Sequence, residues 1–156
     1  MYEKRFMEEA IRLAVENVKK GTGGPFGAVI VKAGEIIAAC GNTVTPDHDP
    51  TAHAEVNAIR EACLKLSSHQ LDGCEIYCSC EPCPMCLGAI YWARPARVYY
   101  ASTQEDAAKA GFDDSFIYRE IELPEAERRI PFLHYKEDGT GEEFRLWQVC
   151  ENKSDY

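Results

Sequence analysis

The sequence predicts an α/β domain with a central sheet. Three observations carry that expectation. Short apolar and β-branched runs occur at 27–32, 35–41, 74–78 and 97–101. Stretches with apolar residues at helical spacing stand before and between them. The two kinds alternate along the chain, as they do where helices pack on a sheet. The 156 residues show no internal repeat, low-complexity tract or linker, so 1–156 is read as one domain large enough to bury a core.

The elements follow in order. Residues 3–20 predict a helix, with Met7, Ile11, Ala14 and Val18 at helical spacing and charges between them. Gly21-Thr22-Gly23-Gly24-Pro25 ends it. Residues 27–32 and 35–41 flank Ala33-Gly34 and predict a hairpin. The polar stretch from Asn42 to Pro50 predicts a loop. Asp49-Pro50 predicts a helix start, with Asp as N-cap and Pro at the first helical position, running to about Leu66. Residues 74–78 predict a short buried strand, and Glu81-Pro82 the start of a helix reaching Tyr91 or Trp92. Pro95 closes that segment before a strand at 97–101. Gln104 to Ala110 predicts a helix stopped by Gly111, and Phe112 to Tyr118 an irregular segment. A short helix at 125–129, a strand at 130–135 and a helix at 142–151 complete the chain.

No hydrophobic leader and no apolar run of about 18 residues is present, so neither a signal peptide nor a membrane span is expected, and the expected location is cytoplasmic. There the eight cysteines stay reduced, which favours metal or catalytic roles over disulfides. The net charge of −9 argues against a partner held by its phosphate backbone, because such binding relies on clustered Lys and Arg. It is no obstacle to a small neutral ligand.

The chemistry concentrates in His53-Ala54-Glu55 and in Pro82-Cys83-Pro84-Met85-Cys86. Cys83 and Cys86, at i and i+3, fall on one helical face at the separation two ligands of one zinc need. His53 completes three protein ligands and leaves a fourth position for water, the arrangement of a catalytic rather than a structural zinc. Two thiolates and a neutral imidazole cancel the charge of Zn²⁺, so bound water stays less acidic than in a three-histidine site. A base is then needed, and Glu55 is placed to be one. Residues i and i+2 do not share a helical face, so His53 and Glu55 converge only if the water sits near a helix end. Two other readings compete. A Cys-x-x-Cys pair can be a redox centre, though the thioredoxin-like setting is absent. Cys78, Cys80, Cys83 and Cys86 can form a closed four-thiolate zinc or iron–sulfur site in a non-enzymatic binding module, which leaves His53 and Glu55 without a role.

An H-x-E motif followed by P-C-x-x-C is the signature of zinc nucleobase deaminases. On these motifs the chain resembles the cytidine deaminase-like superfamily, and more closely the bacterial-type guanine deaminases within it. The resemblance spans essentially the whole chain. It includes Gly24 to Ile30, Asp49 to Glu55, Ser79 to Cys86, Ala89 to Ala93, the more specific Ala110 to Tyr118, and the terminal Tyr156. It implies a three-layer α/β/α sandwich with a central five-stranded mixed sheet. It also implies a homodimer in which a C-terminal segment, about 130–156, crosses over to close the partner's active site. The cofactor implied is one Zn²⁺ per subunit and the substrate a purine base, guanine, converted to xanthine and ammonia. Glu55 would shuttle protons and Asp114 would contact the ring nitrogens and the leaving amino group, with Asp113 its neighbouring alternative. Phe26 would stack on the purine, Asn42 and the Ala54 backbone would bind its polar edge, Trp92 would wall the pocket and Tyr156 would arrive from the other subunit. Cytosine and tRNA adenosine are the rival substrates; the tRNA version needs a basic surface, which this charge balance does not provide.

Overall fold

The computed structural model describes residues 1–154; Tyr156 lies outside the described residues. The chain divides into two compact units, Met1–Asp114 and Ser115–Tyr156.

The first unit opens with α1 (Lys4–Lys20), whose C-cap Gly21 adopts a left-handed conformation. Strands β1 (Gly27–Lys32) and β2 (Glu35–Gly41) form the expected hairpin. Its turn residues Ala33 and Gly34 both have positive φ (51° and 81°), which matches the right-handed twist of the paired strands. A single turn, α2 (Val44–Asp47), interrupts the loop before α3 (Ala54–Leu66). Then come β3 (Cys74–Cys80), α4 (Pro84–Ala93), β4 (Arg97–Ser102) and α5 (Gln104–Lys109). Thr103 and Asp106 form a capping box at the start of α5.

The sheet has order β2-β1-β3-β4 and is mixed: β1 is antiparallel to both β2 and β3, and β3 is parallel to β4. Strand β3 lies between two neighbours and is apolar almost throughout, because both its faces are covered. Alternation along β1 assigns the faces. Val29 and Val31 pack with Phe6, Met7 and Ala10 of α1, whereas Ala28 and Ile30 pack with Ala54, Ala58 and Ala62 of α3 and Ile90 and Ala93 of α4. Helix, sheet and helix therefore form three layers. Small alanines on α3 bring that helix close to the sheet and hold its first turn, where the chemistry lies, against the strand ends.

Several expectations need correction. The sheet has four strands among the described residues, not five: the apolar run 130–135 has no neighbouring strand and no strand pairing. Helix α3 starts at Ala54 and not after Pro50, because the Asp49 carboxylate accepts the Thr51 N–H (2.7 Å) in a local turn before the helix begins. The buried face of α1 is Phe6, Met7, Ala10 and Ala14, while Ile11 and Val18 are exposed.

In the second unit, residues 115–122 form a helix, α6 (Ser115–Glu122), where an irregular segment was expected. A single 3₁₀ turn covers Glu125–Glu127, and α7 spans Glu142–Val149. No helix of the described residues is long and apolar enough to cross a membrane.

Candidate functional site

The late start of α3 makes His53 its N-cap, with extended φ and ψ of −69° and 154°. Cys83 is the N-cap of α4 in nearly the same conformation (−65°, 168°), with Pro84 at the first helical position. Two helix N-termini thus present their cap side chains to each other. His53 Nδ1 lies 3.5 Å from Cys83 Sγ and 3.5 Å from Cys86 Sγ. A tetrahedral zinc with ordinary Zn–N and Zn–S bond lengths sets ligand nitrogen and sulfur about 3.6 Å apart. The three atoms therefore fit one zinc ion, and they are the metal-ligating group found among the described residues.

The protonation pattern supports the same reading. The neighbouring Cys86 side chain, with help from His53, holds the Cys83 thiol down to about 4. Its hydrogen bond with Cys83, together with burial, drives Cys86 far above the ordinary thiol value. His53 is pushed up, first by its hydrogen bond with Cys83, with smaller contributions from the charges of Glu55 and Asp114. One thiolate is thus favoured without a cation, and a divalent cation lets the second ionise too.

Glu55, in the first turn of α3, is 7% exposed, and burial raises its pKa. Its carboxyl interacts with the Cys86 side chain. His53 stands at the cap and Glu55 in the first turn of α3, at the helix end where the i, i+2 pair was expected to converge.

Cys78 and Cys80 do not join the cluster. Cys80 lies 3.5 Å from the Thr103 carbonyl through its Sγ, and burial pushes its thiol up to about 11. Burial raises Cys78 well above its ordinary value. Among the described residues the ligand atoms that converge are those of His53, Cys83 and Cys86, without Cys78 or Cys80, which speaks against the closed four-thiolate alternative.

Asn42 is 5% exposed, and its orientation is set from both sides. Its Oδ1 accepts the N–H groups of Gly24 and Val44, each at 3.2 Å, which leaves the carboxamide nitrogen as a donor. Its backbone carbonyl accepts Asn17 Nδ2 at 2.8 Å, and the same nitrogen donates to Gly24 O. A Cβ at Gly23 would overlap the Asn42 carbonyl oxygen, so only glycine allows this approach. Asn57 Nδ2 donates to Gly41 O and Thr43 Oγ1, tying α3 to the start of the loop between Asn42 and His53. Ala54, first in α3, is fully buried, and its position leaves its N–H without an intrahelical partner.

Phe26 is partly buried and meets the Phe112 ring edge-on, with centroids 5.1 Å apart. Both rings border a cleft of about 520 Å³ along α1, which none of the three ligands lines. Asp114 accepts Gln104 Nε2 at 2.6 Å. Trp92, on α4, is 64% exposed. Asn17, Asn57 and Gln104 escaped the sequence reading. Asn is a poor residue for a helix interior, and its presence inside α1 and α3 was the one available signal.

Comparison with known proteins agrees with this geometry. Residues 1–102 match the family described as the cytidine and deoxycytidylate deaminase zinc-binding region. The chain is 57% identical, over 100% of both sequences, to a guanine deaminase of Bacillus subtilis. It is 38% identical over 135 residues, 86% of each sequence, to a tRNA-specific adenosine deaminase of Aquifex aeolicus. An X-ray structure of guanine deaminase from Bacillus subtilis superimposes with a TM-score of 0.97 at 57% identity, covering 100% of this chain and 99% of that one.

Proposed function

The chain belongs to the cytidine and deoxycytidylate deaminase zinc-binding family, and within it we propose that it hydrolyses guanine to xanthine and ammonia. The observation that carries the chemistry is the meeting of His53, Cys83 and Cys86 at one zinc position with the buried Glu55 carboxyl beside it. The choice of guanine is supported by full-length similarity to a guanine deaminase.

His53, Cys83 and Cys86 would hold the zinc, which would supply Lewis acidity to a water, with a base still needed to take its proton. Glu55 takes that proton. Burial raises its affinity for protons and so suits it to act as a base that later becomes an acid. Water oxygen adds at C2, the carbon that bears the amino group, and Glu55 passes its proton to the adjacent ring nitrogen N3. The proton of the hydroxyl now on C2, carried by Glu55 or Asp114 to the amino group, lets ammonia leave as the C2–N bond breaks and C2 becomes the carbonyl carbon. Asn42 donates its carboxamide N–H to an acceptor on the base, and the Ala54 N–H donates beside it. Phe26 stacks on the ring, its own position supported by Phe112. Held in this way, C2 faces the attacking oxygen without further loss of orientational freedom.

The C-terminal segment, about 130–156, is assigned to a homodimer. Ile130, Phe132, Leu133, Tyr135, Phe144 and Val149 are exposed in the single chain, apolar side chains that a partner copy would cover. Crossing to a second copy would also give 130–135 a sheet to join as a fifth strand, and bring Tyr156 and Trp92 to a shared pocket. A reducing cytoplasmic setting suits the two ligand thiols, and all eight cysteines are free.

Conversion of guanine to xanthine, followed by absorbance with the zinc-loaded protein, tests the proposal. Absence of xanthine with zinc fully bound overturns it.

A further inference from the structure

Gln104 opens α5, and its two polar ends hold different parts of the site. Its backbone N–H donates to Glu81 Oε2 at 3.1 Å, in the segment that leads into Cys83. Its side-chain Nε2 donates to Asp114 Oδ1 at 2.6 Å. Both bonds are partly buried. The Glu81 N–H in turn donates to Ser102 O at 2.9 Å, so the end of β4 and the ligand turn form one corner. Gln104 is thus a hydrogen-bond partner of Asp114. Asp114 ends the segment that follows α5, and its charge reaches His53.

The chemistry of a carboxamide gives this contact a direction. An amide N–H donates and never accepts, so Oδ1 of Asp114 is held as an acceptor whether the acid is charged or neutral. That contact leaves the other oxygen, Oδ2, uncommitted to Gln104. We propose that Gln104 is a positioning residue for the deamination, which holds Oδ1 of Asp114, fixes that loop against the turn carrying Cys83, and leaves Oδ2 for the leaving amino group. The inference rests on the role given above to Asp114. The Gln104 side chain acts through Asp114. A surface residue that merely opened α5 would affect helix stability and nothing else.

The test uses the full-length, zinc-loaded protein and four variants: Gln104→Leu, Gln104→Met, Asp114→Asn, and Gln104→Leu combined with Asp114→Asn. Zinc content, Tm, kcat and KM for guanine are measured for each. Gln104→Leu is expected to keep its zinc and its Tm and to lose about tenfold or more in kcat, the usual effect of removing a group that orients an active-site residue, with KM moving less. In the Asp114→Asn background it is expected to cause no further loss, because its effect passes through that carboxylate. Gln104→Met keeps the chain length without the N–H and stands in if leucine lowers Tm. Full kcat in a folded Gln104 variant, or losses that multiply in the double variant, overturns the inference while Asp114 keeps its role. An Asp114→Asn variant as active as the parent removes Asp114 from the mechanism, and Gln104 with it.

Discussion

The Nδ1 of His53 and the Sγ of Cys83 lie 3.5 Å apart although thirty residues separate them. Each is the N-cap of a helix, His53 of α3 and Cys83 of α4. A cap residue is extended, so its side chain projects beyond the helix end. Two helix ends facing each other therefore bring imidazole and thiolate to the spacing of zinc ligands without bending either helix. The partial positive charge of the two helix N-termini favours the negative charge of the thiolates.

Cys83→Ala is expected to lose zinc and activity together. Two remaining ligands leave the ion open to solvent, and affinity falls steeply. Metal analysis after dialysis checks this, with circular dichroism to show that the fold persists. A full equivalent of zinc in the variant would remove Cys83 from the ligand set.

Glu55→Gln keeps the shape and removes the proton carrier. Zinc should remain, and turnover should drop on the order of 10²-fold or more, the usual contribution of a general acid–base group. Single-turnover kinetics on the zinc-loaded variant measure the chemical step directly. Near-normal kcat would take Glu55 out of the mechanism.

Zinc binding should release protons. The raised pKa of Cys86 means that its thiol carries a proton at neutral pH in the metal-free protein, and the upward shift of His53 acts in the same direction. Both groups must give up protons to bind the cation, so zinc affinity falls as pH falls and rises as pH rises. Calorimetry in two buffers of different ionisation enthalpy should find roughly one to two protons released per zinc near pH 7. Binding without proton release would contradict the thiolate ligands.

Gly23→Ala probes the support of Asn42. The added methyl overlaps the Asn42 carbonyl oxygen, so the loop must shift and carry the carboxamide with it. Misplacing a binding group by about an ångström can cost up to 10²-fold. The expected result is a loss on the order of tenfold in kcat/KM, dominated by KM, with zinc content unchanged. Unaltered KM in a folded variant would show that Asn42 is not held through this contact.

The four strands of the first unit, its hairpin and the pairing of Cys83 with Cys86 were legible in the sequence because each is encoded locally. Val29 and Val31 against Ala28 and Ile30 is an alternation within a few residues, and Cys83 with Cys86 is one helical turn. The start of α3 was misread because Asp49-Pro50 carries the chemistry of a helix start, yet the Asp49 carboxylate is used in a turn with Thr51. The contacts of Asn17 with Asn42 and of Gln104 with Glu81 join segments far apart in the chain, and no local pattern marks them. The run 130–135 has strand composition, but a strand needs a neighbour, and composition does not supply one. Ser115 to Glu122 was hidden by the adjacent acids Asp113 and Asp114, which resemble a loop although they precede a helix.

The most direct test of the central claim is ammonia release by zinc-loaded protein from guanine, cytosine, adenine and a tRNA anticodon stem-loop, measured side by side. The account predicts release from guanine, with none of comparable rate from the other three. Release from another substrate in place of guanine would contradict the substrate assignment, and release from none of them while zinc is bound would contradict the deaminase chemistry itself.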